Sequence, residues 1–354
     1  METKKFLSSY LWDLEPYVPG YQPQNNEGLV KLNTNENPYP PSPRAVEAMR
    51  SAIGENLKLY PSFDCLSLRS AIAKMEGLST ENVFVGNGSD EVLSLCFPAF
   101  FKQEKPIAFF DITYAFYKVY CKFYQVEYDA IPLHSDYTAP LSAFHGQYGG
   151  VLIANPNAPT GIAASLREIE EVLRNNPDCV VLIDEAYQMF WGHTAAGLIE
   201  TYPNLLVVRT LSKGYSLAGL RAAFALGQPH LIQALINMRD SFNSYNLDAI
   251  ALAGATAAVE DTPYAVANAK KVMATREWFT EGLSGLGYQT LPSAANFVFT
   301  RPPRGDAQQV FEALAQRNIH VRHFTAPRTA EWLRISIGTQ EEMERVLAAL
   351  TEIG

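Results

Sequence analysis

The sequence predicts an α/β fold, with a mostly parallel central sheet in a large domain and a smaller α+β domain after it. Short apolar runs alternate with helical patterns through the middle of the chain, whereas the C-terminal part mixes strands and helices in another order. The chain has 354 residues, and at about 100 to 200 residues per domain this length predicts two domains. With 47% hydrophobic and 18% charged residues, the chain can bury a substantial core.

The elements before the sheet are an arm and two helices. Residues 1–42 are rich in proline and asparagine, which predicts an irregular arm. Helical patterns over 43–53 and 64–76 are each followed by a glycine, the residue that most often ends a helix. A strand over 83–85 comes next, so the alternation of strands and helices begins here.

The middle of the chain predicts a parallel sheet covered on both faces. A helical pattern over 166–174 lies among apolar runs that have no polar alternation and are bounded by polar, glycine or proline residues. Uniformly apolar strands are typical of parallel sheets buried between helices. These runs are 107–110, 151–154, 179–183 and 205–208.

The rest of the chain predicts a long helical link and then the smaller domain. Helical patterns extend over about 229–286. We therefore expect an arm over 1–42 that packs with the small domain, a large domain over 43–262 and a small domain over 263–354. The small domain is expected to contain strands at 297–299, 319–321 and 333–337 and helices at 307–317 and 340–351.

Charge and hydropathy exclude several classes of partner. The chain has 28 basic and 37 acidic side chains, a net charge of −9, which argues against a surface that binds nucleic acid or anionic lipid. No apolar run approaches the roughly 18 residues of a membrane span, and the start of the chain lacks a signal-peptide pattern. We expect a cytoplasmic protein that does not act on nucleic acid or membranes.

Polar residues at the ends of the predicted strands mark the candidate site, because ligands of open parallel sheets bind beyond the carboxyl ends of the strands. Gly88, Ser89 and Asp90 join a strand to a helix, where free N–H groups suit a phosphate, although Ser89 and Asp90 are also good helix caps. Asn157 lies in a proline-rich turn that follows another strand, and turn chemistry alone explains most of that motif.

Two further strand ends carry ionisable groups. Asp184 ends a fully apolar strand, where it serves either as a helix cap or as the partner of a metal or a protonated ring nitrogen. Lys213 follows the next strand, either as a solvated surface residue or as a buried amine of lowered pKa that acts as a covalent nucleophile. A metal-dependent hydrolase using Asp184 and Glu185 is disfavoured, because no third ligand has suitable spacing, and we predict no metal site.

The order of these motifs resembles that of the pyridoxal-phosphate-dependent aminotransferases of fold type I, class II. The motifs are NGSDE (87–91), NPNAPTG (155–161), DEAY (184–187), TLSKGYSLAGLR (210–221), ANFVF (295–299) and LRISIG (333–338). Within that superfamily, LEPYVPG (14–20), KLNTNENPY (31–39) and LYP (59–61) resemble the histidinol-phosphate aminotransferases. The resemblance covers nearly the whole chain and implies that the large domain binds pyridoxal 5'-phosphate.

The resemblance assigns the catalytic groups around the cofactor ring. Lys213 is expected to bind the cofactor covalently and to move a proton during the reaction. Asp184 is expected to pair with the ring nitrogen, and Asn157 and Tyr187 to donate to the phenolate oxygen. Tyr114 matches the aromatic residue stacked on the ring, the alternative being an aromatic core residue.

The cofactor phosphate has its own expected ligands. The resemblance implies backbone and side-chain groups that together suit a dianion. Tyr60 matches a tyrosine that reaches the phosphate from the neighbouring subunit, so a homodimer with shared active sites is expected. The ligands within the chain are Gly88, Ser89, Asp90, Thr210, Ser212 and Arg221.

The resemblance also implies the substrates. Arg334 is expected to bind a substrate carboxylate, whereas Arg322 and Tyr17, with Arg334, are expected to bind the phosphate of histidinol phosphate; Asn157 is expected to line the same substrate site. The implied reaction transfers an amino group from L-histidinol phosphate to 2-oxoglutarate, in histidine biosynthesis. The alternatives are an aromatic amino-acid aminotransferase, a threonine-phosphate decarboxylase and a non-catalytic cofactor-binding regulator.

Overall fold

The computed structural model describes residues 5–12, 14, 16 and 28–354. Within them the chain forms ten α-helices and thirteen strands. The strands are β1 (Val30–Lys31), β2 (Val83–Gly86), β3 (Ile107–Phe110), β4 (Tyr128–Ile131), β5 (Gly150–Ala154), β6 (Val181–Asp184), β7 (Leu205–Thr210), β8 (Ala223–Gly227), β9 (Gln289–Thr290), β10 (Phe297–Arg301), β11 (Ile319–His320), β12 (Arg322–His323) and β13 (Leu333–Ser336).

The helices cover this sheet or pack in the C-terminal part. Several are capped by their own sequence: Ser42 accepts a hydrogen bond from Arg44 N, and Ser165 and Glu168 form a capping box. The helices are α1 (Pro43–Ala52), α2 (Leu66–Glu76), α3 (Gly88–Cys96), α4 (Phe116–Tyr124), α5 (Leu166–Asn175), α6 (Pro229–Asp240), α7 (Ala249–Glu260), α8 (Thr262–Gly285), α9 (Ala307–Gln316) and α10 (Gln340–Ile353).

The large sheet has seven strands in the order β2-β8-β7-β6-β5-β3-β4. Strands β3 to β7 run parallel to one another, whereas β8 is antiparallel to both β2 and β7. Strands β5, β6 and β7 are buried along their whole length, as expected for a sheet covered by helices on both faces. The carboxyl ends of β5, β6 and β7 therefore lie side by side at one edge.

The C-terminal part has a sheet and a core of its own. Strands β12-β13-β10-β9 form an antiparallel sheet, and β1 pairs in parallel with β11. Side chains of β10 and β13 pack with α8, α9, α10 and β1 in a buried cluster that includes Val298, Ile335 and Phe279. Residues 30–32 thus pack on the C-terminal part. The division into an arm, a large and a small domain at 42/43 and 262/263 stays a prediction.

Most of the expected elements are present, with boundaries shifted by a few residues. Strands β1, β4, β8 and β9 and helix α4 were not predicted from the sequence. Strand β4 is mostly exposed at the edge of the sheet, and β8 contains two alanines and a glycine, so neither carries the bulky apolar run of a central strand. Helix α4 is rich in aromatic residues, which have modest helix propensity.

Candidate functional site

A cavity of about 390 Å³ lies at the carboxyl ends of β5, β6 and β7, where it meets the C-terminal sheet and the 33–36 segment. Most of the residues predicted for the site line this cavity. Among these are Ser89, Asp90, Tyr114, Asp184, Tyr187, Thr210, Ser212, Lys213, Arg221, Arg322 and Arg334.

Asp184 is a buried carboxylate at the end of β6, with 5% of its surface exposed. It accepts hydrogen bonds from the Tyr117 hydroxyl (3.0 Å to Oδ2) and from Ala186 N (3.1 Å to Oδ1). Burial raises the pKa of this carboxyl to about 6. Within residues 28–354, no basic side chain forms an ion pair with it. The arrangement suits a cationic group of a ligand, such as a protonated ring nitrogen.

Lys213 follows β7 and directs its amine toward the 33–36 segment. Its Nζ donates to the carbonyl oxygen of Thr34 at 3.0 Å. Burial and the charge of Arg334 lower the pKa of Lys213 to about 8, although the charge of Glu36 acts in the opposite direction. A substantial fraction of the amine is therefore neutral near pH 8 and able to act as a nucleophile or a base.

A polar cradle forms where β2 meets α3. Gly88 has φ +81°, and a Cβ there would lie 2.5 Å from Nη2 of Arg221. That guanidinium contacts Asp90 Oδ2 at 3.3 Å and Ser212 Oγ at 3.4 Å. Thr210 Oγ1 donates to Ser212 Oγ at 2.9 Å. An arginine, hydroxyls and a helix N-terminus at one place suit a phosphate group.

Aromatic side chains of the segment around α4 complete this side of the cavity. The Tyr114 hydroxyl donates to Asp90 Oδ1 at 2.8 Å, and its ring lies 5.5 Å from that of Phe116. Burial raises the pKa of the Tyr114 phenol, and the charge of Asp90 acts in the same direction. Tyr117 was not predicted as a site residue, although its phenol contacts Asp184; as one of several neighbouring aromatics, it gave no distinguishing signal in the sequence.

The 33–36 segment is the second part of the site that the sequence analysis did not assign. Asn33, Thr34, Asn35 and Glu36 all line the cavity. The Asn35 Nδ2 donates to the Tyr187 hydroxyl at 2.8 Å. Glu36 contacts Lys31 Nζ at 2.5 Å, and this bond lowers its pKa against the opposing effect of burial. In the sequence, this segment is marked by a run of polar residues without the apolar alternation of a strand or helix.

Asn157 does not line the cavity, contrary to the expectation for a cofactor and substrate ligand. Its Nδ2 donates to the carbonyl oxygen of Ile112 at 3.0 Å and to Thr160 Oγ1 at 3.1 Å. Its Oδ1 accepts from the Thr113 hydroxyl at 2.8 Å. These bonds hold the amide away from the site, and Ala158 lines the cavity instead. In this structure Asn157 anchors the loop before α4.

Arg322 and Arg334 lie side by side on adjacent strands of the C-terminal sheet. They are direct partners in the antiparallel pairing of β12 and β13. Both guanidiniums lie 5.7 Å from the centre of the Phe324 ring. Arg334 Nη2 also donates to the carbonyl oxygen of Asn33 at 3.0 Å. Like charges directly opposite each other destabilise a sheet, so this pair suits an anionic ligand.

Two predicted residues lie elsewhere. Tyr60 is 81% exposed, and its ring stacks on that of Tyr245 with centres 4.5 Å apart, outside the cavity of its own chain. Tyr17 lies outside the described residues.

The described residues also bear on two other classes of site. No helix there has the length and apolar character needed to cross a membrane. In the same residues, no cluster of His, Cys, Asp or Glu is arranged to hold a metal ion.

Comparison with known proteins agrees with this geometry. Residues 27–350 match the family model of aminotransferase class I and II. The chain is similar to a histidinol-phosphate aminotransferase of Acetobacter pasteurianus, with 51% identity over 99% of this chain and 98% of that protein. It is also similar to histidinol-phosphate aminotransferase 1 of Methylococcus capsulatus, with 49% identity over 98% of this chain and 97% of the relative.

Solved structures support the fold. The histidinol-phosphate aminotransferase of Sinorhizobium meliloti in complex with pyridoxal-5'-phosphate matches with a TM-score of 0.84, 24% identity and coverage of 92% of this chain and 90% of that one. The enzyme from Clostridium acetobutylicum matches with a TM-score of 0.85, 22% identity and coverage of 92% and 99%. These matches confirm the predicted fold class, and the family match over residues 27–350 shows that the chain belongs to the class I and II aminotransferases.

Proposed function

We propose that this aminotransferase uses pyridoxal 5'-phosphate to transfer the amino group of L-histidinol phosphate to 2-oxoglutarate. The products are imidazole acetol phosphate and L-glutamate, and the two substrates react in turn at one site. The observation that carries the substrate assignment is the pair of arginines, Arg322 and Arg334, opposite each other on β12 and β13. A phosphate dianion offsets two positive charges, whereas an aromatic amino acid has one carboxylate to offer them. The step in histidine biosynthesis follows from this substrate.

The residues of the cavity fit the cofactor. Asp184 supplies a buried anion for the ring nitrogen. Gly88 allows the Arg221 guanidinium, which also contacts Ser212, to lie against the turn where a Cβ would not fit, and such a cradle suits a phosphate. Lys213 supplies the amine that binds the cofactor covalently. When bound, pyridoxal phosphate supplies a ring that accepts the electron density left on the substrate carbon when a proton is removed.

The chain's own residues perform the remaining tasks. Lys213 Nζ, partly neutral near pH 8, can take the proton from the substrate Cα and return it later. Tyr117 orients the Asp184 carboxylate through its hydroxyl. Arg322 and Arg334 hold the substrate's anionic group, so that its amino end points toward Lys213 across the cavity.

The test compares amino donors in single-turnover spectra of the cofactor-loaded enzyme and of two variants. We expect histidinol phosphate to react faster than phenylalanine. Arg322→Ala should lower kcat/KM for histidinol phosphate by about 10- to 100-fold, because a charge-assisted contact is lost, and should affect glutamate less. The control is Arg317→Ala. Arg317 also belongs to the C-terminal part of the chain, but it lies outside the cavity and pairs with Glu352.

Three outcomes would contradict the proposal. Faster reaction of phenylalanine would indicate an aromatic amino-acid aminotransferase. Release of carbon dioxide from threonine phosphate without an oxo acid would indicate a decarboxylase. Equal losses for histidinol phosphate and glutamate in Arg322→Ala would remove the role given to Arg322.

The proposal includes a homodimer with shared sites. Tyr60 is exposed beside further exposed apolar side chains, Leu57, Leu59 and Phe63, which supports a surface that is covered by a second copy. Mixing inactive Lys213→Ala with impaired Tyr60→Phe protein should restore activity, because one of the two sites in a mixed dimer then has both residues. Absence of restoration, with mixed dimers demonstrated by mass, would contradict a shared site.

The proposed location is the cytoplasm. The chain's cysteines are unpaired, and Cys65, Cys96 and Cys121 are buried. Free thiols of this kind are typical of a reducing compartment, which supports the proposal.

A further inference from the structure

The hydrogen bond between Asn35 and Tyr187 links the segment before α1 to the cavity wall. Asn35 is buried, with 2% of its surface exposed, and its Nδ2 donates to the Tyr187 hydroxyl at 2.8 Å. Its φ is +56°, a left-handed conformation that asparagine tolerates better than most residues. The backbone here is therefore shaped to bring this one amide to Tyr187.

Ser336 fixes which end of the Asn35 amide faces Tyr187. The Ser336 hydroxyl accepts a hydrogen bond from Asn35 N at 2.9 Å and donates to Asn35 Oδ1 at 2.9 Å. Since Oδ1 is held by the serine, the NH₂ group is the end left for Tyr187. A tyrosine oxygen that accepts from this amide cannot direct its own proton at the same group, so the hydroxyl proton points away from Asn35.

Neither Asn157 nor Ala158, the residues of the neighbouring turn, offers the cavity a side-chain hydrogen-bond donor beside Tyr187. Tyr187 packs against a small buried cluster of Ala158, Ala295 and Phe297, so a methyl group stands next to it. The Asn157 amide is engaged by Ile112 and Thr160 outside the cavity. Tyr187 and Ala158 line the cavity whereas Asn157 does not, and of the first two only the tyrosine carries a hydroxyl.

We propose that Asn35 is a positioning residue, which orients the Tyr187 hydroxyl as a hydrogen-bond donor toward the phenolate oxygen of the cofactor. This inference rests on the proposed use of pyridoxal phosphate. The ring oxygen shares the proton of the nitrogen that joins Lys213 to the cofactor. A hydrogen bond donated to this oxygen weakens its hold on that proton, so the bond favours the unprotonated form.

The experiment is a pH titration of the cofactor absorbance in the holoenzyme, followed without substrate. Asn35→Gly suits the positive φ and removes the amide, so the absorbance midpoint should rise by about half to one pH unit, the size expected for the net effect of one ordinary hydrogen bond. Tyr187→Phe should raise the midpoint by at least as much. In the Tyr187→Phe background, Asn35→Gly should add no further shift, because Asn35 acts through the Tyr187 hydroxyl.

Two further variants keep the test decisive. Ser336→Ala frees the amide to turn and should give a smaller shift of the same sign, which tests the network even where Asn35→Gly folds poorly. Asn296→Ala removes a bond to the carbonyl oxygen of Asn35 without touching its side chain, so the midpoint should stay unchanged. An equal shift by Asn35→Gly with and without the Tyr187 hydroxyl would overturn the inference, whereas an absence of any cofactor band in the unmodified protein would overturn the proposed function instead.

Discussion

Lys213 is the residue whose charge state sets the pH range of cofactor capture. Burial and Arg334 lower its pKa to about 8, from the 10.5 of an exposed lysine. The neutral amine is the nucleophile, so the rate at which apoprotein captures pyridoxal phosphate should rise with pH and level off above about pH 8 to 9. Stopped-flow absorbance over pH 6 to 10 measures this midpoint.

Glu36 supplies the check on this assignment. Its charge raises the pKa of Lys213, so Glu36→Gln should move the midpoint to lower pH. Glu344→Gln, on the exposed face of α10, should leave it in place. A midpoint near 10 in the unmodified protein, or one that Glu36→Gln does not move, would contradict the environment described for Lys213.

The buried Asp184 carboxylate should lower the free energy of unfolding of the apoprotein, although the same carboxylate favours cofactor binding. Its pKa is raised from 3.8 to about 6, so between these values the folded state holds a proton that the unfolded state has lost. Stability therefore falls as the pH rises through this window, and the cost is complete above pH 6. Asp184→Asn should stabilise the apoprotein by about 1 to 2 kcal/mol at pH 7, less at pH 4, while weakening cofactor binding. Urea unfolding at both pH values measures this; a loss of stability at pH 7 would contradict it.

At the scale of elements, the turn from β2 into α3 depends on a glycine. Gly88 has φ +81°, and any Cβ would meet the Arg221 guanidinium. Gly88→Ala should displace Arg221 and raise the Kd for pyridoxal phosphate by at least about tenfold, the loss of one charge-assisted contact. Gly77→Ala, at a helix end with φ +69° and open space around it, carries the backbone strain alone and is the control. Equal losses of cofactor affinity in both variants would show that strain, rather than Arg221, is responsible.

Local patterns predicted the elements that carry the site better than they predicted which side chains face it. Apolar runs identified β5, β6 and β7, because each strand is buried along its length and ends in polar residues. The turn after β5 was also identified, but the Asn157 amide bonds to Ile112 outside the cavity and the next residue, Ala158, lines the cavity instead. The contacts of Asn35 and Tyr117 span 152 and 67 residues, so no local pattern could predict them.

At the scale of the whole molecule, the cavity lies between two separately packed cores. Asp184 and Lys213 belong to the large sheet, whereas Arg322 and Arg334 belong to the C-terminal sheet. Arg328 joins the two parts: its guanidinium contacts Asp111 Oδ2 at 3.0 Å and the carbonyl oxygens of Leu133 at 3.0 Å and His134 at 2.8 Å. These contacts tie the loop between β12 and β13, the two strands that carry the arginine pair, to the large sheet.

Breaking this contact should therefore weaken substrate binding without weakening cofactor binding. Arg328→Ala is expected to lower kcat/KM for histidinol phosphate by about tenfold, since a substrate that bridges both sheets needs them correctly placed, and to leave the Kd for pyridoxal phosphate within about twofold. Arg301→Ala breaks an ion pair with Glu331 inside the C-terminal part and should change neither value by much. Steady-state kinetics and cofactor titration of the three proteins give both values. If Arg328→Ala weakened cofactor and substrate alike, the contact would support the fold of the large sheet itself rather than the placement of the two arginines.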